Sequence, residues 1–382
     1  MYIIVAGKNN IAVDVLEYLI TKNLNAKIGV ICNKNETGVN SWQKSLRWFS
    51  QKWGIEEYSL DEIYNLEKVV FLSMEFDQIV RTDRFKNAKL YNIHFSLLPA
   101  YKGMYTSVLP ILNGEKTVGV TFHSIDNGID TGEIIAQTRF DIGEITSREL
   151  YLKYIKSGTQ LVISNIDSIL NNQVNSFPQS VNGSTYYSRK SIDFHNLSID
   201  FYQTAQQVSR QIRAFTFREY QLMPFNNKRV VSARITPIRS KKKPGYIFFE
   251  DDMSAMVSTV DYNIILYFDR FEELIKSCTN GDYEKVQEIC QIKEHINAKD
   301  NEGNTPLAVA TYYNQIKIAL RLISIGADIY STNNVGENLL LCASKAYLRY
   351  HDKTLFKMYQ QLGLSDFSVD YFGNDISCYI KE

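Results

Sequence analysis

The first third of the chain alternates between short apolar runs and longer stretches in which apolar residues follow helical spacing. The runs are continuous and rich in β-branched residues, which is typical of buried parallel strands. Between them, Ile11 to Leu24 keeps its large apolar side chains on one face, and 41–53 also shows helical spacing. This alternation predicts an α/β fold with an open, mostly parallel sheet and helices on both faces. The strands are predicted at 2–6, 26–32, 68–72 and 90–94.

The middle of the chain continues this pattern and then becomes mixed. Two extended runs, 118–124 and 133–140, surround a loop rich in Gly and Asp, and residues 147–170 have the pattern of one long helix. The region after this helix combines short strands with a single helix. These elements are predicted at about 198–213 for the helix and at 229–235 and 245–249 for the strands.

The last third carries an internal repeat. Gly303, within Asn-Glu-Gly-Asn-Thr-Pro-Leu, recurs 33 residues later as Gly336 and, more weakly, 37 residues after that as Gly373. Thr-Pro-Leu at the start of one helix and Gly-Ala-Asp after the next resemble an ankyrin repeat, whose period is 33 residues. We therefore expect an α-helical ankyrin module of about three units. The predicted domains are 1–185, 186–262 and 263–382.

Charge and composition exclude several classes of protein. Lys+Arg and Asp+Glu are both 42, with one short basic cluster at 239–243, which disfavours a nucleic-acid partner. The five cysteines are widely spaced without Cys-x-x-Cys, so neither a disulfide framework nor a metal site is expected, and a reducing cytoplasm fits. The first apolar run ends at Gly7 and no run reaches 18 residues, so neither a signal peptide nor a membrane span is predicted. Gly7 stands alone, without the Gly-x-Gly-x-x-Gly of dinucleotide sites.

Two motifs carry the candidate chemistry. In the first, Asn92-Ile-His94-Phe-Ser-Leu-Leu-Pro, Asn92 and His94 are two residues apart on a strand and so project to the same face. In the second, Asp126-Asn-Gly-Ile-Asp130-Thr-Gly, Gly-flanked Asp130 lies in a loop that can reach the same place. An amide donor for an oxyanion, an imidazole that titrates near neutral pH and a carboxylate suit acyl transfer to an amine.

Taken together, these motifs resemble the folate-dependent formyltransferases. The resemblance covers about residues 1–180 and implies a Rossmann-like core with Asn92, His94 and Asp130 as the catalytic trio. It implies N10-formyltetrahydrofolate as formyl donor, with attack by an unprotonated amine, an oxyanion held by Asn92 and protonated His94, and proton removal through Asp130 or water. It also implies a pterin slot formed by Met74, Phe76, Leu97, Leu98, Pro99 and Asp126.

The region after the core narrows the choice of acceptor. Zero net charge disfavours initiator tRNA as the acceptor. Glycinamide ribonucleotide is disfavoured because the enzymes acting on it are about half this length. UDP-amino-arabinose is disfavoured because the enzymes acting on it append a decarboxylase domain. Members resembling this chain in the ankyrin module act on dTDP-3-amino-3,6-dideoxyhexoses of galacto or gluco configuration, for bacterial O-antigen and other surface polysaccharides. A dTDP-4-amino sugar, hydrolysis of the folate and a non-catalytic ankyrin interaction protein remain alternatives.

Substrate contacts are expected beyond the trio. Cations suit the phosphates of a nucleoside diphosphate, and flat rings suit its base. The expected contacts are Met104, Tyr105, Tyr187, Lys190, Arg213, Phe217 and Tyr220. The resemblance further implies a homodimer through 186–262 and a second dTDP-sugar in the ankyrin module, with Tyr312 and Tyr313 as the stacking surface.

Overall fold

The structure, a computed structural model, describes residues 1–365 and 367–380. The chain divides into two compact units. Unit 1 comprises Met1–Val39, Lys44–Tyr246 and Val257–Ile264, and unit 2 comprises Asn40–Gln43, Ile247–Met256 and the chain from Ile265 onwards. Among the described helices, none is both long and apolar enough to cross a membrane.

A seven-stranded sheet forms the centre of unit 1. The first eight strands are β1 (Tyr2–Gly7), β2 (Lys27–Cys32), β3 (Glu56–Glu57), β4 (Val69–Met74), β5 (Ala88–His94), β6 (Lys102–Gly103), β7 (Thr117–Ser124) and β8 (Ile134–Asp141). All but β6 belong to this sheet, in the order β3-β2-β1-β4-β5-β7-β8. The pairs from β3 to β5 are parallel, whereas β7 runs antiparallel to β5 and β8 antiparallel to β7. The predicted α/β class with a mostly parallel sheet is therefore confirmed.

Six helices accompany the described strands of unit 1. They are α1 (Asn9–Thr21), α2 (Leu46–Lys52), α3 (Leu60–Tyr64), α4 (Leu109–Asn113), α5 (Ser147–Leu170) and α6 (Ala205–Ala214). Helix α5 spans the predicted residues because Thr146 and Glu149 form a capping box at its start. Two helices begin later than predicted: α2 starts after its cap Ser45, and α6 starts after a capping box of Thr204 and Gln207.

The carboxyl ends of β1 and β4 meet closely at the centre of the sheet. Gly7 has a φ of +144°, and a Cβ atom there would lie 1.8 Å from the carbonyl oxygen of Met74. Only glycine therefore fits, and its role is close backbone approach. Because the strand order reverses between β1 and β4, the crevice for a ligand opens here, beside the end of β5.

The chain after α5 forms smaller sheets. Strand β9 (Tyr186–Tyr187) pairs in parallel with β6, and β10 (Met223–Phe225) pairs antiparallel with β11 (Lys228–Arg239). Three further strands are β12 (Ile247–Glu250), β13 (Ser254–Ser258) and β14 (Tyr262–Phe268).

Unit 2 contains helices in consecutive pairs around one apolar cluster. They are α7 (Phe271–Asn280), α8 (Tyr283–Ile289), α9 (Pro306–Tyr312), α10 (Ile316–Ser324), α11 (Leu339–Tyr350) and α12 (Thr354–Gln361). The cluster takes fully buried side chains from all six of these helices, such as Leu274, Val286, Leu307, Leu322, Leu340 and Tyr359. Each helix is too short to bury its apolar face alone, so pairing stabilises all of them.

The sequence repeat of unit 2 recurs as one hydrogen-bonded turn. The glycine amide donates to the residue three positions earlier at Gly303, Gly336 and Gly373, over 3.0, 3.0 and 3.1 Å. Successive turns are also joined, since the amide of Asn334 donates to the carbonyl of Glu302 over 3.0 Å and that of Tyr371 to Val335 over 2.8 Å. The repeated motif therefore corresponds to a repeated local structure.

Candidate active site

The end of β5 presents Asn92 and His94 next to the loop that carries Asp130. The Nδ2 atom of Asn92 lies 3.4 Å from Oδ1 of Asp130, and Nδ1 of His94 lies 3.5 Å from Oδ2 of the same carboxylate. Asp130 is held in place by the amide of Gly103, which donates to Oδ2 over 2.8 Å. The structure thus brings together the three residues that the two sequence motifs single out.

The hydrogen bonds of His94 determine where its protons lie. Its Nε2 atom is 2.8 Å from the carbonyl oxygen of Tyr101. Because a carbonyl only accepts, Nε2 carries a hydrogen and donates it. A second proton on Nδ1 would face the Asp130 carboxylate. The ring of His94 is therefore oriented with one nitrogen toward the Tyr101 carbonyl and the other toward Asp130.

A fourth polar residue, His123, belongs to the same cluster, and neither sequence motif contains it. The antiparallel register of β5 and β7 sets His123 directly opposite Asn92, and its Nε2 lies 3.1 Å from Asn92 Nδ2. Its Nδ1 donates to the carbonyl of Ser124 over 2.7 Å, so Nε2 must accept from the Asn92 amide. A titratable histidine within the predicted strand 118–124 is the signal that the sequence offers for this residue.

His123 is held in its neutral form. Burial and, to a smaller extent, the neighbouring His94 lower its pKa, Asp130 opposes both effects, and the net result is a pKa of about 4. A neutral imidazole can accept the hydrogen bond from Asn92, whereas an imidazolium cannot. The Nε2 atom of His123 is also 3.7 Å from Oδ1 of Asp130. Because His123 is neutral, it does not form an ion pair with this carboxylate, which His94 also faces.

The loop that carries Asp130 is held in place by hydrogen bonds from the side chain of Gln179. Its Nε2 atom donates to the carbonyl oxygens of Asp130 and Gly132, each over 2.8 Å. Asp130 itself has a φ of +53°, a conformation that non-glycine residues adopt only when their surroundings require it. Gln179 follows α5 in a segment without a recognisable motif, so no sequence pattern indicates this contact.

The residues predicted for the pterin slot lie around the ends of β4 and β5. Met74 is fully buried and Phe76 packs against Phe71, so these two contribute backbone and apolar support. The amide of Leu98 donates to Thr121 over 3.1 Å, and its carbonyl accepts from Gln137 over 2.9 Å. Leu97 and Pro99 are half-buried, and Asp126 is exposed in its loop.

Asp126 has a structural role that the motif does not reveal. Its Oδ1 atom accepts from the amide of Gly128 over 3.0 Å and from the Thr131 hydroxyl over 2.6 Å, which closes the loop. Beside it lies a cavity of about 410 Å³ that is also lined by Lys102 and Gln179. Lys102 is the cation of this lining, beside the carboxylates of Asp126 and Glu133, and it can pair with an anionic group of a bound folate.

The residues predicted to contact substrate fall into two groups. Tyr105, Tyr187 and the adjacent Met104 lie together, because β6 pairs with β9 and the Met104 amide donates to Tyr187 over 2.9 Å. Lys190 is exposed on the same segment. Tyr187 stacks on Tyr101, whose carbonyl binds His94, with ring centroids 5.5 Å apart. This group is therefore connected to the trio.

The second group comprises Phe217, Tyr220 and Arg213. Phe217 is 4% exposed and lies 4.7 Å from the ring of Tyr220, which is 60% exposed, so Phe217 supports Tyr220 instead of offering its own face. The Arg213 guanidinium donates to the carbonyl of Ile145 over 3.2 Å and lines a separate cavity of about 340 Å³ with Arg210 and Lys116. None of the trio lines that cavity.

Tyr312 and Tyr313 lie in unit 2, at the end of α9. They line a cavity of about 430 Å³ together with Asn304, Asn333 and Glu337. Tyr312 is 40% exposed, and the two rings meet edge to face with centroids 5.3 Å apart. Within the part of the chain that the structure describes, no group of His, Cys, Asp and Glu is arranged to hold a metal ion.

Comparison with known proteins agrees with this geometry. The Formyl transferase family model matches residues 67–166, which include Asn92, His94 and Asp130. The methionyl-tRNA formyltransferase of Fervidobacterium nodosum is 30% identical over 227 residues, which cover 56% of this chain and 71% of that protein.

Two solved structures are more similar in sequence. An N-formyltransferase from Helicobacter canadensis, in complex with folinic acid and dTDP-3-aminofucose, is 42% identical with a TM-score of 0.65, covering 70% of this chain and 99% of that chain. WlaRD, a sugar 3N-formyl transferase with dTDP and 5-N-formyl-tetrahydrofolate, is 42% identical with a TM-score of 0.66, covering 71% and 98%. The chain therefore belongs to the formyl transferase family.

Proposed function

We propose that this protein transfers a formyl group from N10-formyltetrahydrofolate to the amine of a dTDP-3-amino-3,6-dideoxyhexose. The observation that carries the proposal is the cluster of Asn92, His94 and Asp130 at the end of β5. The acceptor is supported by the 42% identity to two solved structures, one with bound dTDP-3-aminofucose and one described as a 3N-formyl transferase. Such a product would serve bacterial O-antigen synthesis in the cytoplasm.

Each residue of the cluster has a distinct task in this reaction. The contact of Asn92 with Asp130, at 3.4 Å, is longer than an ordinary hydrogen bond, so this N–H can turn to the formyl oxygen as negative charge develops there. His94, when protonated, stabilises the same charge. Asp130, held by Gly103, takes the proton that leaves the attacking nitrogen, directly or through water.

The donor fits the region beside the cluster. N10-formyltetrahydrofolate supplies the formyl carbon and leaves as tetrahydrofolate. Leu98, Pro99 and Asp126 would line its pterin, and Lys102 would face its carboxylate tail. The segment of Met104, Tyr105 and Tyr187 is joined to the trio through the contact of Gly103 with Asp130, and the amine would approach from this segment.

A tRNA acceptor is the second candidate, because the relative from Fervidobacterium nodosum is a methionyl-tRNA formyltransferase. Two observations favour the sugar. Identity is higher to the sugar enzymes, at 42% against 30%. The sequence has zero net charge, whereas binding to a polyphosphate backbone needs a basic surface.

An acceptor panel tests the proposal. Release of tetrahydrofolate from N10-formyltetrahydrofolate is measured with dTDP-3-amino-3,6-dideoxygalactose, its gluco epimer, the 4-amino isomer, a UDP-amino sugar, initiator methionyl-tRNA and no acceptor. We expect turnover with the 3-amino dTDP-sugars alone. Turnover with the tRNA or without an acceptor would overturn the proposal in favour of a tRNA enzyme or a hydrolase. The substitution His94→Asn should abolish turnover while the circular dichroism spectrum stays that of the wild type.

Unit 2 fits an ankyrin module within this function. The proposal is supported by the turn that recurs at Gly303, Gly336 and Gly373 and by the helix pairs between the turns. Its cavity, with Tyr312 exposed beside Asn304 and Asn333, would hold the thymine base of a second dTDP-sugar. Calorimetry with dTDP should find two sites per chain in the wild type and one in Tyr312→Ala; a single site in both would overturn this role.

We further propose that the protein is a homodimer. The strand β12 exposes Ile247, Phe248 and Phe249, each about 40% accessible. Apolar side chains exposed in a row mark a surface that another chain covers. Light scattering at micromolar concentration should give twice the 44.1 kDa of one chain, and Phe248→Glu should give the monomer.

A further inference from the structure

A buried carboxyl group outside the trio lies at the same edge of the sheet. Glu75 follows β4 directly, and β4 is the parallel neighbour of β5, with Met74 paired to Ile93. The ends of adjacent strands are about 4.8 Å apart, so Glu75 is one strand away from His94. It also faces the crevice where the strand order reverses, which is where an open α/β sheet binds its ligand.

Among the described residues, donors pair with one of the two carboxyl oxygens of Glu75. Oε2 accepts from Tyr151 over 2.7 Å and from Asn9 over 3.0 Å, and Asn9 also donates to the Tyr151 hydroxyl over 2.8 Å. Within residues 1–365 and 367–380, no donor is paired with Oε1. The residue keeps partial solvent exposure, so Oε1 is accessible from the crevice.

The surroundings of Glu75 connect it to the predicted nucleotide side of the site. The ring of Tyr151 lies 5.6 Å from that of Phe217, which in turn supports the exposed ring of Tyr220. Burial raises the pKa of Glu75, and the hydrogen bonds from Tyr151 and Asn9 oppose that effect. A half-buried carboxyl group with one oxygen open to the crevice offers that oxygen as an acceptor to a bound ligand.

We propose that Glu75, through Oε1, accepts a hydrogen bond from a ring hydroxyl of the acceptor sugar and thereby selects that sugar. The proposal rests on the proposed function. A hydroxyl fits better than the amine itself, because the amine is placed beside Asp130 at the end of β5, whereas Glu75 follows the neighbouring strand β4. With the amine at the end of β5, a neighbouring hydroxyl reaches the end of β4. Asn9 and Tyr151 are positioning residues, since they hold the carboxyl group in this orientation.

The test combines protein variants with substrate analogues. Glu75→Gln keeps the size of the side chain, Tyr151→Phe keeps the ring but removes one donor, and Glu17→Gln changes an exposed carboxylate on α1 as a matched control. Each is assayed with dTDP-3-amino-3,6-dideoxygalactose and with its 2-deoxy and 4-deoxy analogues. Binding of dTDP alone is measured in parallel by calorimetry.

We expect Glu75→Gln to raise KM for the full sugar by about 10- to 100-fold, with kcat and dTDP binding changed little, because the lost contact is a hydrogen bond to a charged group. Tyr151→Phe should shift KM in the same direction by less, and Glu17→Gln should match the wild type. With the analogue that lacks the contacted hydroxyl, wild type and Glu75→Gln should have the same KM.

Three outcomes would overturn the inference. If wild type is active and Glu75→Gln has an unchanged KM, Glu75 does not contact the sugar. If Glu75→Gln weakens dTDP, the full sugar and both analogues equally, its role is structural. If wild type is inactive with every dTDP-amino sugar, the proposed function fails first and this inference fails with it.

Discussion

The side-chain nitrogen of Asn92 lies 3.1 Å from Nε2 of His123, directly across the β5–β7 pair. Since the other ring nitrogen of His123 donates to Ser124, the ring accepts one of the two hydrogens of the Asn92 amide. This fixes which end of the amide is the nitrogen. The second hydrogen is thereby directed toward Asp130 and the place where the formyl oxygen would lie.

Removing the ring of His123 should therefore slow the reaction without preventing substrate binding. His123→Leu keeps a similar volume but leaves the Asn92 amide without its acceptor, so the amide is free to rotate. We expect kcat to fall by about 10- to 100-fold with KM changed much less, as for a misplaced oxyanion donor. Steady-state kinetics with saturating folate measures both constants.

A matched control for this substitution is His195→Leu, because His195 is exposed on the surface of unit 1. It should leave kcat unchanged. If His123→Leu retained the kcat of the wild type, Asn92 would be oriented by other groups, and the role assigned to His123 would be wrong.

The depressed pKa of His123 also predicts a dependence of stability on pH. The folded pKa is about 4, whereas an unfolded histidine titrates near 6.5. Between these values the unfolded chain binds a proton that the folded protein does not, so stability is full above pH 6.5 and declines as the pH falls toward 4. Urea midpoints at pH 7.0, 5.5 and 4.5 should fall more steeply for wild type than for His123→Leu. Parallel declines would show that this histidine does not contribute.

Unit 2 offers a test of its buried polar contacts. The Tyr359 hydroxyl lies 2.5 Å from Thr311 Oγ1, and Thr311 in turn donates to the carbonyl of Leu307 over 2.7 Å. Tyr359 is therefore the donor in the first bond. Tyr359→Phe leaves the Thr311 donor satisfied and should cost only about 1 kcal/mol of unfolding free energy. Denaturation of the full chain, followed by circular dichroism, measures this. Tyr330→Phe, at an exposed position, should cost nothing, and equal losses in the two variants would argue against the buried bond.

The sequence predicted the parts of this site that are local and missed those that depend on tertiary contacts. Asn92 and His94 lie two residues apart on one strand, so their common direction follows from strand geometry. His123 is 31 residues from Asn92, and only the antiparallel register of β7 brings them together. In the same way, the orientation of α6 in the fold determines that Arg213 reaches Ile145, and no sequence pattern contains that information.

The hydrogen bond from the Gln179 amide to Asp130 is another contact between residues far apart in the sequence, here 49 residues. It leads to a specific prediction. Because the amide nitrogen donates to the carbonyls of Asp130 and Gly132, Gln179→Leu should release the loop and let the carboxylate move away from His94. We expect kcat to fall about tenfold or more, since small displacements of a catalytic group have large effects on rate. Gln179→Glu should be no better, because a carboxylate cannot donate to two carbonyls. Gln173→Leu, an exposed position before the same segment, is the matched control. A larger change in the KM for folate than in kcat would instead show that Gln179 acts through the adjacent cavity.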